Sequence, residues 1–194
     1  MNLPRERIIQ IAYLTTPDRF DDCLDYWRTA MAAGPMFLGD FRLQNQTYRG
    51  KATDVAMTVA LFFQGDVQIE LIKQTNDAPG AYLEVLNRHT RIPRAGIFHH
   101  HAIAVDNFDE TYARLLARGG KESFMSNLPG AGRLTYVDMT ETLGHYIEFW
   151  ENNEDLNAIN RRMKDACAQW DGKDPFRAFE SLYAPGGPSL SAKN

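Results

Sequence analysis

With 194 residues, 44% of them apolar and 24% charged, the chain has the make-up of one globular domain, or of two small modules sharing a core. A formal net charge of −4 argues against the basic face of a nucleic-acid binder. No apolar run reaches the roughly 18 residues of a membrane span.

The opening residues, Met1 to Arg7, are charged and lack the apolar stretch of a secretory signal, so a cytoplasmic location is expected. Residues 7–15 read as a strand with one polar residue, Gln10, among apolar neighbours. Pro17 and Asp18 open a helix in which Phe20, Cys23, Leu24, Trp27 and Met31 recur at helical spacing, and Gly34-Pro35 ends it. Apolar runs at 55–63 and 67–73 face each other across Gln64-Gly65-Asp66, which has hairpin chemistry. A short helix suits Ala81–Asn87. Residues 98–105 form a strand, Asn107 caps a helix with Phe108, Tyr112, Leu115 and Leu116 on one face, and Gly119-Gly120 stops it. Strands follow at 133–138 and 145–151. Leu156, Ile159, Met163, Cys167 and Trp170 keep the spacing of an amphipathic helix, and Phe176, Phe179 and Tyr183 suggest a last short one. Cys23 and Cys167 both fall on apolar helix positions and are expected as buried reduced thiols, a disulfide being the alternative.

The order strand, helix, strands thus occurs twice, at an offset of about 80–90 residues. Neither half can bury its sheet alone, which predicts an α+β fold of two paired βαβββ modules in a curved sheet or half-barrel. The expected boundaries are 1–152 for the paired modules (about 7–75 and 97–152), 153–183 for a C-terminal helical extension and 184–194 for a mobile tail. Residues 36–53 and 124–133 read as loops that set specificity.

The repeat gives four polar residues equivalent places. Gln10 and His100 lie in the first strand of each half, Glu70 and Glu148 in the last. A glutamate in mid-strand is costly to bury unless paired or bound to a metal. By strand alternation Glu148 shares a face with Tyr146 and Trp150. One imidazole, two carboxylates and an amide oxygen suit an octahedral Zn²⁺, Mn²⁺, Co²⁺, Ni²⁺ or Fe²⁺ with open positions. The plainer alternatives are a core amide for Gln10 and arginine pairs for the glutamates. His99 and His101 are expected to point away from His100. No Gly-rich dinucleotide turn follows any strand, which argues against hydride transfer.

These strands, above all Val67–Ile72, His99–Phe108 and Leu143–Glu151, resemble the vicinal oxygen chelate superfamily of glyoxalases, methylmalonyl-CoA epimerases, extradiol dioxygenases and bleomycin-resistance proteins. The resemblance covers about residues 7–152. It implies one divalent metal held by Gln10, Glu70, His100 and Glu148, with Glu148 as catalytic base and a homodimer as the assembly. It picks His100 from the histidine triplet because the family's ligand stands five residues before the valine of Ile103-Ala104-Val105.

The ligand set is similar to that of glyoxalase I, but Leu14, Gln74 and Gly96 occupy the places where its glutathione-binding arginine, asparagine and second arginine belong. The flanks look closer to the epimerases, which have His and Gln where Gln10 and Glu70 stand. The resemblance therefore implies a metal-dependent isomerase or lyase, not glutathione-specific, that removes a proton next to a carbonyl of a small substrate with adjacent oxygens. A non-catalytic small-molecule binding or resistance protein, and a ring-cleaving dioxygenase, are the alternatives.

Overall fold

The computed structural model describes residues 7–183, and the expected tail 184–194 lies outside them. The first repeat holds β1 (Gln10–Leu14), a 3-10 turn (Pro17–Arg19), α1 (Phe20–Ala30), β2 (Met36–Arg42), β3 (Gln44–Tyr48), β4 (Lys51–Ala52), β5 (Ala56–Gln64) and β6 (Val67–Gln74), and α2 (Ala81–Leu86) leads out of it. The second holds β7 (Ile97–Val105), α3 (Phe108–Leu116), β8 (Lys121–Leu128), β9 (Gly132–Asp138), α4 (Thr140–Leu143) and β10 (Tyr146–Glu151). The extension holds α5 (Glu154–Ala168), β11 (Phe176–Ala178) and a 3-10 turn (Phe179–Leu182).

All eleven strands form one sheet, in the order β11-β2-β5-β6-β1-β7-β10-β9-β8-β3-β4. At its centre the first strands of the two repeats, β1 and β7, run antiparallel, and each has the last strand of its own repeat as a parallel neighbour. The chain itself forces the sheet to curl. β2 lies near one edge and β3 near the other, yet Leu43 alone separates them in sequence. The two residue steps from Arg42 to Gln44 span at most about 7 Å, so the two sides of the sheet approach each other there and the sheet curves strongly round on itself.

Alternation along the strands then sorts the side chains between two faces. Phe62, Ile69 and Leu71 point outward onto Phe20, Leu24 and Trp27 of α1. Ile103, Val137 and Phe149 point outward onto Phe108 and Leu115 of α3. Ala12, Val59, Leu61, Leu134, Tyr136 and Trp150 point inward, where Ile159 and Met163 of α5 meet them. Helix α5 begins where the Asn153 side chain accepts hydrogen bonds from the amides of Asp155 and Leu156.

Three expectations need correction. Residues 36–53 and 124–133 are not mainly loops, since β2, β3, β4 and the end of β8 run through them. Their pattern hides this. The β3 stretch is polar, and its buried Gln46 is tolerated because its amide bonds the carbonyls of Leu43 and Val55 and accepts from the Val55 amide. The final aromatic stretch is not helical throughout, because Phe176–Ala178 adds a parallel strand to the exposed edge of β2 before the 3-10 turn. His99 does not point away from His100, for a reason given below. Both cysteines are free thiols, and no described helix is long and apolar enough to cross a membrane.

Candidate metal centre

Strand register sets two parallel rows across the inner face. One runs Gln68, Gln10, Ala102, Glu148, Tyr136, and the next runs Glu70, Ala12, His100, Tyr146. Each row places an alanine between two candidate ligands. Neighbouring strands lie about 4.8 Å apart, so side chains flanking an alanine start about 10 Å apart and can lean together over it. Ala12 and Ala102 are fully buried and occupy equivalent places two residues after Gln10 and His100. The hollow they leave is where the polar groups converge.

One ligand atom each from Glu70, His100 and Glu148 lies within 4.8 Å of the other two. His100 Nε2 stands 2.9 Å from Glu148 Oε2 and 3.5 Å from Glu70 Oε2. The first distance would suit a hydrogen bond, yet Nε2 has no partner in hydrogen-bonding geometry. Glu70 Oε2 and Gln10 Oε1 are also buried without a partner. Glu70 Oε2 and His100 Nε2 lie together in the hollow, and Gln10 lines the chamber beside them. Buried polar atoms are almost always satisfied; a proton on His100 would pair it with both carboxylates, and a cation in the proton's place would be met by Glu70, His100 and Glu148 together. The residues fit a divalent ion.

Electrostatics agree. Burial alone would push the His100 imidazole down, but Glu148 and Glu70 outweigh it and raise its pKa to about 9. Without a metal the cluster thus holds a proton where it lacks a cation. Burial raises the Glu70 carboxyl, and nearby Glu148 adds to that rise.

The support around the ligands was not visible in the sequence. Between β1 and β7 the register shifts, with Ala12 opposite His100 but Tyr13 opposite Phe98. His99 is the extra residue of this bulge, which turns it to the same side as His100. Its ring stacks on Tyr146, and its Nδ1 lies 2.7 Å from His100 Nδ1. Burial holds the His99 imidazole well below its usual pKa, so it is neutral. If His100 Nδ1 carries the proton and donates to His99, Nε2 is left with a lone pair aimed at the hollow. His101 does point away, and its Nδ1 lies 2.8 Å from His145 Nε2.

Gln10 is held from another direction. Asn160 Oδ1 on α5 accepts from Gln68 Nε2 at 2.9 Å, and Gln68 Oε1 accepts from Gln10 Nε2 at 2.7 Å. The relay occupies the nitrogen end of the Gln10 amide and leaves its buried oxygen without a partner. A hint was present in sequence, since Gln68 sits two residues before Glu70 on the same strand face. The part played by Asn160 could not be read, because nothing in a helix sequence says which strand it will meet.

The hollow opens into a chamber of about 720 Å³, mouth included. Gln10, Glu70 and Glu148 lie in its wall, and Trp150, Leu61 and Leu134 are among its apolar sides. Leu156, Ile159 and Phe179 of the extension complete it. Leu14 is in the core, and the Gln74 amide donates to the carbonyls of Asn76 and Ala78.

The sequence matches the family described as the glyoxalase/bleomycin resistance protein/dioxygenase superfamily over residues 10–137. No curated protein sequence matches. Among solved structures, a hypothetical protein of Bacillus halodurans C-125 is similar at 18% identity and a TM-score of 0.50, covering 77% of this chain and 96% of its own. A methylmalonyl-CoA epimerase from Mycobacterium tuberculosis is similar at 14% identity and a TM-score of 0.49, covering 81% and 97%. A variant of 4-hydroxymandelate synthase from Streptomyces coelicolor is similar at 13% identity and a TM-score of 0.46, covering 77% of this chain and 50% of its own.

Proposed function

Because the chain belongs to the glyoxalase/bleomycin resistance protein/dioxygenase superfamily, we propose that it is a metal-dependent isomerase or lyase that removes a proton next to a carbonyl. The observation that carries the reading is the convergence of Glu70, His100 and Glu148, whose ligand atoms lie within 4.8 Å of one another in the hollow, with the buried, partnerless Gln10 Oε1 on the same chamber wall. In this proposal Gln10, Glu70, His100 and Glu148 hold one divalent ion, and Glu148 is the base. When bound, the ion would supply Lewis-acid polarisation of the substrate carbonyl.

The chain's own residues do the rest. Glu148 accepts the proton: the substrate C–H bond breaks, an O–H bond forms on the carboxylate, and the electron pair passes to the carbonyl oxygen. Return of that proton from Glu148 to the neighbouring carbon, while the hydroxyl proton passes to the former carbonyl oxygen, isomerises the substrate, and loss of a leaving group makes the reaction a lyase. The Asn160–Gln68 relay and the His99 ring orient Gln10 and His100. Trp150 and Leu134 keep water from the carbon that loses its proton. The proposal includes a homodimer in the cytoplasm, and sedimentation measures the first of these directly.

Protein purified without chelator should carry close to one equivalent of a divalent ion. In a screen over 2-oxo, 2-hydroxy and acyl-thioester compounds, EDTA should abolish turnover and Mn²⁺ or Zn²⁺ restore it. Glu148→Gln should lower the rate by about 10²–10⁴-fold. Metal content near zero together with a fully active Glu148→Gln would refute the reading. The apolar chamber also favours a second reading, sequestration of a small molecule without turnover, which predicts ligand binding indifferent to EDTA.

A further inference from the structure

The metal-centre reading says nothing of which carbonyl compounds enter, but the chamber walls do. Among the described residues lining it there is no lysine, arginine or histidine. Its polar groups are three amides, the Tyr136 hydroxyl, the Trp150 indole N–H and the two carboxylates, and the other side chains are apolar. Two arginines, one in the β3–β4 turn and one on β9, are engaged outside it. Arg49 pairs with Glu84 and Asp138, and Arg133 with Asp109 and Glu151. An anionic group entering this chamber would lose its hydration and find no counter-charge on the walls.

Charge counting at the floor points the same way. Glu70 and Glu148 bring two negative charges, a divalent ion brings two positive ones, and a neutral His100 adds none. The loaded centre is then neutral. A neutral substrate keeps it so, and proton transfer to Glu148 moves charge without changing the sum. An anionic substrate would leave one net negative charge in an apolar enclosure.

Resting on the metal-centre reading, we propose that the substrate is a neutral, apolar-bodied carbonyl compound with an adjacent oxygen, such as an aryl or alkyl α-hydroxy ketone, and that carboxylate-bearing analogues are excluded. Leu61, Leu134, Trp150, Ile159 and Phe179 select its body, while Glu70 and Glu148 set its charge.

The test compares 2-hydroxyacetophenone with its 4-carboxy derivative by calorimetry on the full chain, metal-free and loaded with Mn²⁺. The neutral compound should bind the loaded protein at least tenfold more tightly. Equal or tighter binding of the carboxylate, or binding of neither compound to loaded protein, would overturn the substrate class. If the protein takes up no metal, the metal-centre reading fails, and the wall argument is decided on Glu70→Gln/Glu148→Gln protein, whose chamber lining carries no charge: a tenfold neutral preference supports it and parity overturns it. Leu156→Arg, which places a cation at the half-buried helical rim, should shrink that preference at least threefold with an unchanged circular dichroism spectrum. A preference unchanged in a folded Leu156→Arg protein also counts against the proposal.

Discussion

Asn160→Leu tests the amide relay at its far end, on a residue that touches no candidate ligand. The substitution removes the acceptor that Gln68 Nε2 meets at 2.9 Å. Gln68 then keeps only the Met163 sulfur at 3.5 Å for that nitrogen, a weak partner. Losing one neutral hydrogen bond costs about 1 kcal/mol of stability. The effect on metal binding should be larger than that local loss suggests. With Gln68 free to turn over, Gln10 can present its nitrogen to the hollow in place of Oε1, and an amide N–H cannot ligate a cation. Loss of such an outer-shell partner lowers metal affinity by about 10–100-fold. Titration with Mn²⁺, read by calorimetry, measures the affinity, and urea unfolding of metal-free protein measures the stability. Asn160→Asp keeps an acceptor for Gln68 and should restore affinity to within about threefold of the natural chain, on a scale where 1.4 kcal/mol is tenfold. Asn157→Ala on the same helix, whose side chain bonds Asn152 instead, should leave affinity unchanged. An Asn160→Leu protein that binds Mn²⁺ as tightly as the natural chain would refute the relay.

Ala102→Val fills the hollow between Gln10 and Glu148 without altering a candidate ligand. It should lower Mn²⁺ affinity at least tenfold and cost about 1–3 kcal/mol of stability through overpacking, and unchanged affinity would remove the steric argument. Burial at 2% exposure pushes the Cys23 thiol up to about 12, so mass mapping should find it unlabelled by iodoacetamide at pH 8 in native protein and labelled in urea. Asp138 gives a pH prediction. Burial would raise its carboxyl, but bonds from Thr140 and Arg49 outweigh this and hold it below the usual carboxylate range. A carboxyl depressed by folding stabilises the protein above the unfolded pKa near 3.9, and that contribution is lost as pH falls. The stability gap between the natural chain and Asp138→Asn should therefore be present at pH 7 and shrink below about pH 4. A gap independent of pH would show that the carboxylate's charge is not its source.

The sequence made the candidate ligands legible because two physical rules overlap on them. Period-two alternation assigns a face, and the repeat names matching positions, so Gln10 with His100 and Glu70 with Glu148 could be paired without coordinates. The same alternation failed one residue away. His99 was expected to face outward, and the bulge opposite Ala12 and Tyr13 reverses it, since one inserted residue flips a side chain to the other face. No composition signal marks that insertion. The strands within 36–53 stayed hidden for a different reason. Gln44–Tyr48 carries almost no apolar residue, and it is a strand because it pairs with β8 of the other repeat, a partner about 80 residues away in sequence. Tertiary pairing made that element, and local propensity could not announce it.

The extension takes on a different meaning once its contacts are traced. The family match ends at residue 137, whereas Leu156, Ile159, Asn160 and Phe179 all line the chamber. The apolar inner face of β5 would otherwise be open on the side that α5 covers. Asn160 reaches from that same helix to the amide relay behind Gln10. One element therefore closes the cavity and orients a candidate ligand. A change in α5 should accordingly alter both which molecules fit and how tightly the ion is held. An accessory helix packed for stability alone would alter neither, and the paired responses of Leu156→Arg and Asn160→Leu separate the two roles.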